Sequence, residues 1–299
     1  MTQPPNEVSI DEPLVRSLLA EQHPDLAHLP LVHVDAGWDN ALWRLGEDLA
    51  VRMPRRVTAA WLTENELRWL PQIAQTLSLP VPVPVRLGEP GRDYPWRWAI
   101  VPWLSGEPGD RDPITDPAST MVLARFLRAL NLPAPEDAPR NPFRGSVPLS
   151  EHSADLERTL GNVSELVDTD QVRRVWEDAT SAPQWSGEQV WIHSDLHPAN
   201  VMVTSGTLSG VVDFGDMCAG DPADDLAAGW TLLPRGALSS FLEAYGDVDA
   251  AMVRRARGWA LRRGIFLIAI GLAGQRGLPG GKTSWLRGGI ATIESVLSQ

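Results

Sequence analysis

The sequence predicts an α+β protein in two lobes, a small N-terminal lobe on an antiparallel sheet and a larger helical C-terminal lobe. Apolar residues alternate through residues 31–53, as in a meander of adjacent strands. From residue 118 onward, apolar residues recur mainly at helical spacing. Strands followed by helices are typical of α+β folds. The change falls near residues 101–106, so we predict lobes of residues 1–104 and 105–299.

The first lobe contains two predicted helices among its strands. Helical spacing of apolar residues predicts helices at 11–28 and 58–77, the second bent near Pro71. The predicted strands lie at residues 31–34, 41–45, 49–53, 85–88 and 97–104. Prolines spaced through residues 79–85 predict an extended connector between helix and strands.

The second lobe alternates helical patterns with proline-rich loops. Its predicted helices lie at residues 118–130, 153–167, 170–180, 236–245 and 249–272. One segment, residues 189–214, has a β-like pattern instead, with apolar strands at 201–203 and 210–212. This segment contains the residues that carry the chemistry.

Composition excludes several classes of function. The formal net charge is −12 and no basic stripe offsets it, so we expect binding neither to nucleic acid nor to anionic membranes. The longest apolar run, residues 265–273, is too short to span a bilayer, and residues 1–10 lack a secretory pattern. Cys218 is the single cysteine, which excludes an intrachain disulfide. We therefore expect a soluble, cytoplasmic protein, whose acidity serves either solubility or attraction of a cationic substrate.

Two motifs indicate phosphoryl transfer. Residues 193–200 read HSDLHPAN and residues 211–216 read VVDFGD. Such transfer needs a carboxylate beside the attacking hydroxyl and oxygen ligands for Mg²⁺, which the pattern H-x-D-x-x-x-x-N followed by D-F-G supplies. Asp195 falls at the position of the base, and Asn200 and Asp213 fall at the positions of the metal ligands. The spacing therefore predicts a kinase that acts on a hydroxyl group.

The two histidines of the first motif are predicted to have other roles. His193 precedes the base by two residues, and we expect it to orient the loop. His197 lacks partner cysteines or histidines at the spacing of a zinc site.

The motif in this form resembles the aminoglycoside phosphotransferase family, a branch of the protein-kinase-like fold. His-Pro before Ala-Asn is similar to that family, and so is GDPADDLA at residues 220–227. The resemblance extends from about Val32 to the last helices. It implies ATP or GTP as phosphate donor, Mg²⁺ as cofactor and a hydroxylated small molecule as acceptor. It also implies that Asp225 is structural and accepts backbone N–H groups of the catalytic loop.

The resemblance assigns the phosphate-binding residues of the first lobe. The hairpin over the phosphates falls at residues 35–40, where Gly37 is the one glycine. Family members commonly place a lysine on the third strand, but this chain has Arg52 there. Arginine keeps the charge and binds phosphate with a different geometry. Glu66 is the predicted helix partner of Arg52, with Glu64 as the alternative.

The connection between the lobes is predicted to bind the purine. The connection begins at Val101. In kinase-like enzymes it binds the purine through one backbone carbonyl and the backbone N–H two residues further along the chain. Pro102 keeps its carbonyl and Leu104 keeps its N–H, so the proline does not prevent this arrangement.

Three functions stay open at this stage. The first is a kinase for aminoglycosides or related antibiotics, and the second is a metabolic kinase for a sugar, an amino alcohol or another metabolite. The third, a non-catalytic pseudokinase, has the missing strand lysine as its support. A protein kinase is disfavoured, because no segment ending in Ala-Pro-Glu follows residues 213–215.

A polycationic acceptor would need carboxylates in the second lobe. Acidic residues cluster there at Asp155 and Glu157, at Asp168 and Asp170, and at Glu243, Asp247 and Asp249. Each cluster is also explained as a solvated helix face. The sequence does not predict the oligomeric state.

Overall fold

A five-stranded antiparallel sheet organises the first lobe of the computed structural model, which describes residues 6–34 and 38–298. Its strands are β1 (Leu31–His33), β2 (Asn40–Leu45), β3 (Leu49–Pro54), β4 (Arg86–Gly88) and β5 (Trp98–Pro102). They lie in the order β1-β2-β3-β5-β4, and all neighbours are antiparallel. The predicted strands are confirmed within about two residues at each end.

The two faces of this sheet have different side chains. One face packs large residues, among them Val51, Met53 and Trp98, against the first helix. The other face carries a small cluster of Ala50, Ala99 and Val101. Because side chains of a strand alternate between faces, β3 presents Val51 to the core and its neighbours to the opposite side.

The helices of this lobe are shorter than predicted. Helix α1 (Glu12–Gln22) begins at Asp11, whose carboxylate accepts the Leu14 N–H, and ends before residue 28. Pro24 explains this end, because the residue before a proline is pushed out of the helical region. Helix α2 (Val57–Ile73) includes Pro71 in its last turn and ends two residues later.

The second lobe is mainly helical, as predicted. Its helices are α3 (Ser119–Leu130), α4 (Ser153–Gly161), α5 (Thr169–Ser181), α6 (Ala223–Leu226), α7 (Ala228–Thr231), α8 (Leu238–Tyr245), α9 (Ala250–Gln275) and α10 (Trp285–Leu297). Its strands are β6 (Glu107–Pro108), β7 (Val190–Ile192), β8 (Val201–Thr204), β9 (Thr207–Val211) and β10 (Cys218–Gly220). They pair as β6-β8-β9 and β7-β10. Short 3-10 turns lie at Leu149–His152 and Pro198–Asn200.

Helices α9 and α10 form an antiparallel hairpin. A methyl group at Gly271 would lie 2.6 Å from Leu286 Cα, and one at Gly264 would lie 2.8 Å from Ile293. Glycine is therefore required where the two helices approach. Helix α10 was not among the predicted elements. No helix of the described residues is long and apolar enough to cross a membrane.

Candidate active site

The loop after β7 is held in a strained conformation by a buried carboxylate. Ser194 has a φ of 66°, a value that non-glycine residues seldom adopt. Asp225, at 0% exposure, accepts the N–H of His193 at 2.9 Å and that of Ser194 at 2.8 Å. Arg263 donates to the Ser194 carbonyl at 3.1 Å. The predicted structural contact of Asp225 is therefore present, and it fixes the backbone that carries Asp195.

His193 joins this loop to the strand before Asp213. Its Nδ1 accepts the Asp195 N–H at 3.3 Å, and its Nε2 lies 3.0 Å from the Val212 carbonyl. Both contacts form when the proton is on Nε2. The ring thus holds two parts of the site together, which agrees with an orienting role.

Asp195 lies among groups that keep it ionised. Its carboxylate is 3.1 Å from the guanidinium of Arg144 and 3.6 Å from His197 Nε2, and the Asn200 amide donates to it at 3.2 Å. Burial by itself raises the pKa of Asp195. Arg144 and, as the second cause, His197 outweigh burial and hold that pKa well below its usual range. At neutral pH Asp195 is a carboxylate able to accept a hydrogen bond from an acceptor hydroxyl.

Arg144 is a site residue that the sequence did not predict. It lies in the loop between α3 and the 3-10 turn Leu149–His152, and it bridges Asp195 to Asp216, whose carboxylate it contacts at 2.7 Å. Asn141 donates to the same Asp216 at 2.7 Å. Neither residue belongs to a spaced motif, so no local pattern indicated them.

Arg52 is placed between two carboxylates. It donates to both oxygens of Glu66, at 2.6 and 2.5 Å, and to Asp213 at 2.6 Å. The predicted pair of Arg52 and Glu66 is present, whereas the alternative, Glu64, contacts Arg97 instead. Burial by itself lowers the pKa of Arg52, but Glu66 and Asp213 raise it overall, so the guanidinium stays charged.

Asn200 and Asp213 are placed to offer oxygen atoms to a metal ion. The N–H of Val212, just before Asp213, donates to the Asn200 carbonyl at 2.9 Å, which brings the two residues together. The Asn200 side-chain nitrogen donates to Asp195, so its amide oxygen is the atom that remains as a ligand. Asp213 has a φ of 65° and a side chain 47% exposed. An amide oxygen and an accessible carboxylate suit Mg²⁺. Water molecules and phosphate oxygens complete the coordination shell of this ion.

The described residues contain no ready-made metal cage. No group of three or more His, Cys, Asp or Glu side chains converges in that part of the chain. Mg²⁺ is commonly bound by one or two carboxylates together with substrate phosphates.

The connection between the lobes begins at the end of β5. Val101 is buried against Ala50, and the N–H of Trp103 donates to the Asp48 carbonyl at 2.7 Å. Leu42, Leu67 and Trp103 pack against this small cluster. Purine contacts by Pro102 and Leu104 stay a prediction, and Gly37 lies outside the described residues.

One family model matches most of the chain. A sequence model of the phosphotransferase enzyme family, APH, matches residues 31–263. No curated protein sequence gives a significant match.

Solved structures share the fold along nearly the whole chain. The GDP complex of wild-type aminoglycoside 2'-phosphotransferase-IIIa has 18% identity and a TM-score of 0.70, over 97% of this chain and 99% of that one. The gentamicin complex of APH(2")-IIa has 17% identity and a TM-score of 0.60, over 96% and 97%. Macrolide 2'-phosphotransferase MphH from Brachybacterium faecium has 20% identity and a TM-score of 0.62, over 94% and 97%. The predicted kinase-like fold is confirmed.

Proposed function

Since this chain belongs to the phosphotransferase enzyme family, we propose that it transfers the γ-phosphate of ATP or GTP to a hydroxyl group of a small molecule. One observation carries the proposal: Asp195, Asn200, Asp213 and Arg52, the residues predicted as base, metal ligands and phosphate-binding cation, lie together in the fold. Asp195 contacts Asn200, and the Asn200 carbonyl accepts the N–H of Val212, the residue before Asp213. Asp213 in turn contacts Arg52. Phosphoryl transfer depends mainly on positioning and charge, which this set supplies.

Each residue has a distinct task in this proposal. Arg52, held by Glu66, binds donor phosphates with its charged fork. Asn200 and Asp213 hold Mg²⁺, which when bound neutralises negative charge on the phosphates. Asp195 accepts a hydrogen bond from the acceptor hydroxyl and aligns its oxygen. It takes the hydroxyl proton as the new O–P bond forms and the bond from the γ-phosphorus to the departing nucleoside diphosphate breaks.

The two lobes divide the substrates in the proposal. Residues 1–104 bind the nucleotide, with the purine beside Ala50 and the backbone of Pro102 and Leu104. Residues 105–299 carry the catalytic loop and the acceptor. A cytoplasmic location belongs to the proposal, because ATP and GTP are cytoplasmic phosphate donors.

The proposed acceptor is a hydroxylated antibiotic, either an aminoglycoside or a related natural product. The support is the likeness to the aminoglycoside and macrolide phosphotransferases described above. A metabolic kinase for a sugar or an amino alcohol is the alternative, and the same assay separates the two.

The experiment is a transfer assay with the purified chain and Mg²⁺, run with ATP and with GTP. Kanamycin, gentamicin, erythromycin, simple sugars and amino alcohols are offered, and release of nucleoside diphosphate is measured together with the mass of the acceptor. We expect one phosphoryl group on one class of acceptor. Asp195→Asn should bind nucleotide normally but lower kcat about 10²–10⁴-fold. Nucleotide binding without transfer to any acceptor, as in a pseudokinase, would overturn the proposal.

A further inference from the structure

Residues 139–146, defined here as the arginine loop, carry Arg144 to the base. Within the loop, the Asn141 N–H donates to the Ser146 hydroxyl at 3.0 Å, which closes a turn around Arg144. From this turn the Arg144 guanidinium lies 3.1 Å from the Asp195 carboxylate. One contact of the base therefore depends on where the arginine loop is held.

The arginine loop is docked on residues 219–224, which contain the end of β10 and the start of α6. The Ser146 hydroxyl donates to the Ala219 carbonyl at 2.6 Å. The Asp221 N–H donates to the Gly145 carbonyl at 2.9 Å. The backbone on the C-terminal side of the loop arginine is thus tied to this segment at two neighbouring residues.

Asp224 joins the arginine loop to the backbone that carries the base. Its carboxylate, at 0% exposure, accepts the Gly145 N–H at 2.8 Å through one oxygen. The other oxygen accepts from Arg263 at 2.6 Å, and the same Arg263 nitrogen donates to the Ser194 carbonyl at 3.1 Å. Gly145 follows the loop arginine, and Ser194 precedes the base. One buried ion pair therefore holds the residues next to both members of that contact.

The surroundings of Asp224 leave its carboxylate dependent on these two partners. A methyl group at Gly145 would lie 2.9 Å from Asp224 Cβ and 2.9 Å from Ile192, so glycine is required where the loop meets this side chain. Burial raises the pKa of Asp224 to about 6, and Arg263 is the largest cause that opposes the rise. Above that pH the group is a buried carboxylate, and removal of a partner leaves its charge uncompensated.

A second ion pair joins the same segment to α9 through side chains that contact another part of the chain. Asp221 lies 2.6 Å from Arg255, and both side chains are largely buried. Arg255 also donates to the Pro183 carbonyl at 2.7 Å. It precedes Arg263 by eight residues, which at 1.5 Å per residue is about 12 Å along the helix. The chain thus offers a matched pair that supports the fold at a distance from the base.

We infer, given the proposed function, that the Asp224–Arg263 pair positions the base for phosphoryl transfer. Through Gly145 it places Arg144 against the base, and through the Ser194 carbonyl it holds the backbone that precedes the base. Asp224 is fully buried and acts through these neighbours, so it is a positioning residue. A displacement of about 1 Å in a catalytic group costs about 10²-fold in rate. Loss of the pair should therefore lower kcat more than it changes the nucleotide KM.

The test uses the transfer assay with the acceptor that the wild-type chain phosphorylates fastest among kanamycin, gentamicin, erythromycin, simple sugars and amino alcohols. Asp224→Asn keeps the size of the side chain, but its amide accepts hydrogen bonds on one side only. It should lower kcat about 10²-fold, with a smaller change in the nucleotide KM. Arg263→Lys keeps a cation beside Asp224 but not the planar fork, so it should lower kcat about tenfold, the equivalent of one hydrogen bond.

A control variant and a double-mutant cycle distinguish positioning from simple support of the fold. Asp221→Asn breaks the matched pair, so it should lower the urea midpoint as Asp224→Asn does while it leaves kcat unchanged. If Asp224 acts through Arg144, the two substitutions are not independent. The double variant Asp224→Asn/Arg144→Gln should then retain at least about fivefold more kcat than the product of the two single losses predicts.

The outcomes separate the inference from the proposed function. Wild-type transfer with normal kcat in Asp224→Asn and Arg263→Lys would overturn the inference and leave the proposed function standing. Equal kcat losses in Asp224→Asn and Asp221→Asn, or independent losses in the cycle, would also overturn it. If Asp224→Asn does not fold, Arg263→Lys and its cycle with Arg144→Gln decide in the same way. A wild-type chain that transfers phosphate to no acceptor would overturn the proposed function, and the inference with it.

Discussion

Replacement of Asp225 tests how the catalytic loop is supported, without changing the residues proposed to carry out the chemistry. Asp225 receives the N–H groups of His193 and Ser194 and the Asn131 amide, the last at 3.2 Å. It has no contact with a substrate in the proposed mechanism. Asp225→Ala removes the shared acceptor of three donors, and Asp225→Asn keeps one oxygen but turns an N–H₂ group toward the others.

The expected loss follows from these three contacts. Each donor left unpaired in a buried site costs about 1–3 kcal/mol. Part of this is offset, because burial raises the pKa of Asp225 and the ionised carboxylate is itself costly to bury. We therefore expect Asp225→Ala to lower the free energy of unfolding by about 3–5 kcal/mol and Asp225→Asn by about half as much.

Turnover should fall as well, because the backbone N–H groups of His193 and Ser194 each lose their hydrogen bond to the carboxylate. A small displacement of Asp195 costs about 10²-fold in kcat, whereas Arg52 and Asp213 keep their contacts and the nucleotide KM changes less. Urea unfolding and steady-state kinetics measure the two effects. Asp170→Asn is the control, since its side chain is 78% exposed, and it should change stability by less than about 0.5 kcal/mol. An Asp225→Ala variant within about 1 kcal/mol of the wild type and with normal kcat would refute this reasoning.

Substitutions at three further residues test the proposed nucleotide and acceptor sides. Arg52→Ala should lower kcat/KM for the nucleotide about 10²-fold, and Arg52→Lys should lose less because a point charge stays beside Glu66; equal losses in steady-state kinetics would contradict this. Asp213→Ala should abolish the Mg²⁺-dependent part of nucleotide binding in calorimetry, and unchanged binding would show that the metal site lies elsewhere. Arg144→Gln should let burial raise the pKa of Asp195, so the acid side of the kcat/KM profile should move to higher pH. This direction holds because Asp195 is active when ionised, and an unmoved profile would exclude Arg144 as its partner.

A local motif predicted Asp195, Asn200 and Asp213, and the family resemblance predicted the pair of Arg52 and Glu66. Asp195 and Asn200 are five residues apart, and their contact closes within one turn. Asp213 returns on the next hairpin, and Arg52 reaches Glu66 fourteen residues later through one strand and one helix. Such spacings are set by the geometry of neighbouring elements, so a motif encodes them. Helix lengths were less well predicted, as in α1, because a proline ended a pattern that periodicity alone would continue.

Other contacts join residues that are far apart in the chain. Trp38 contacts Gly280 across 242 positions, and Arg144 contacts Asp216 across 72. No periodicity links such pairs, because packing of the lobes and of the α9–α10 hairpin brings them together. The net charge of −12 likewise does not indicate where the carboxylates lie in the fold. Only folding brings Asp155 next to its arginine partners and Asp249 to the helix end that it caps. The interaction of a charge depends on the groups within a few ångströms of it.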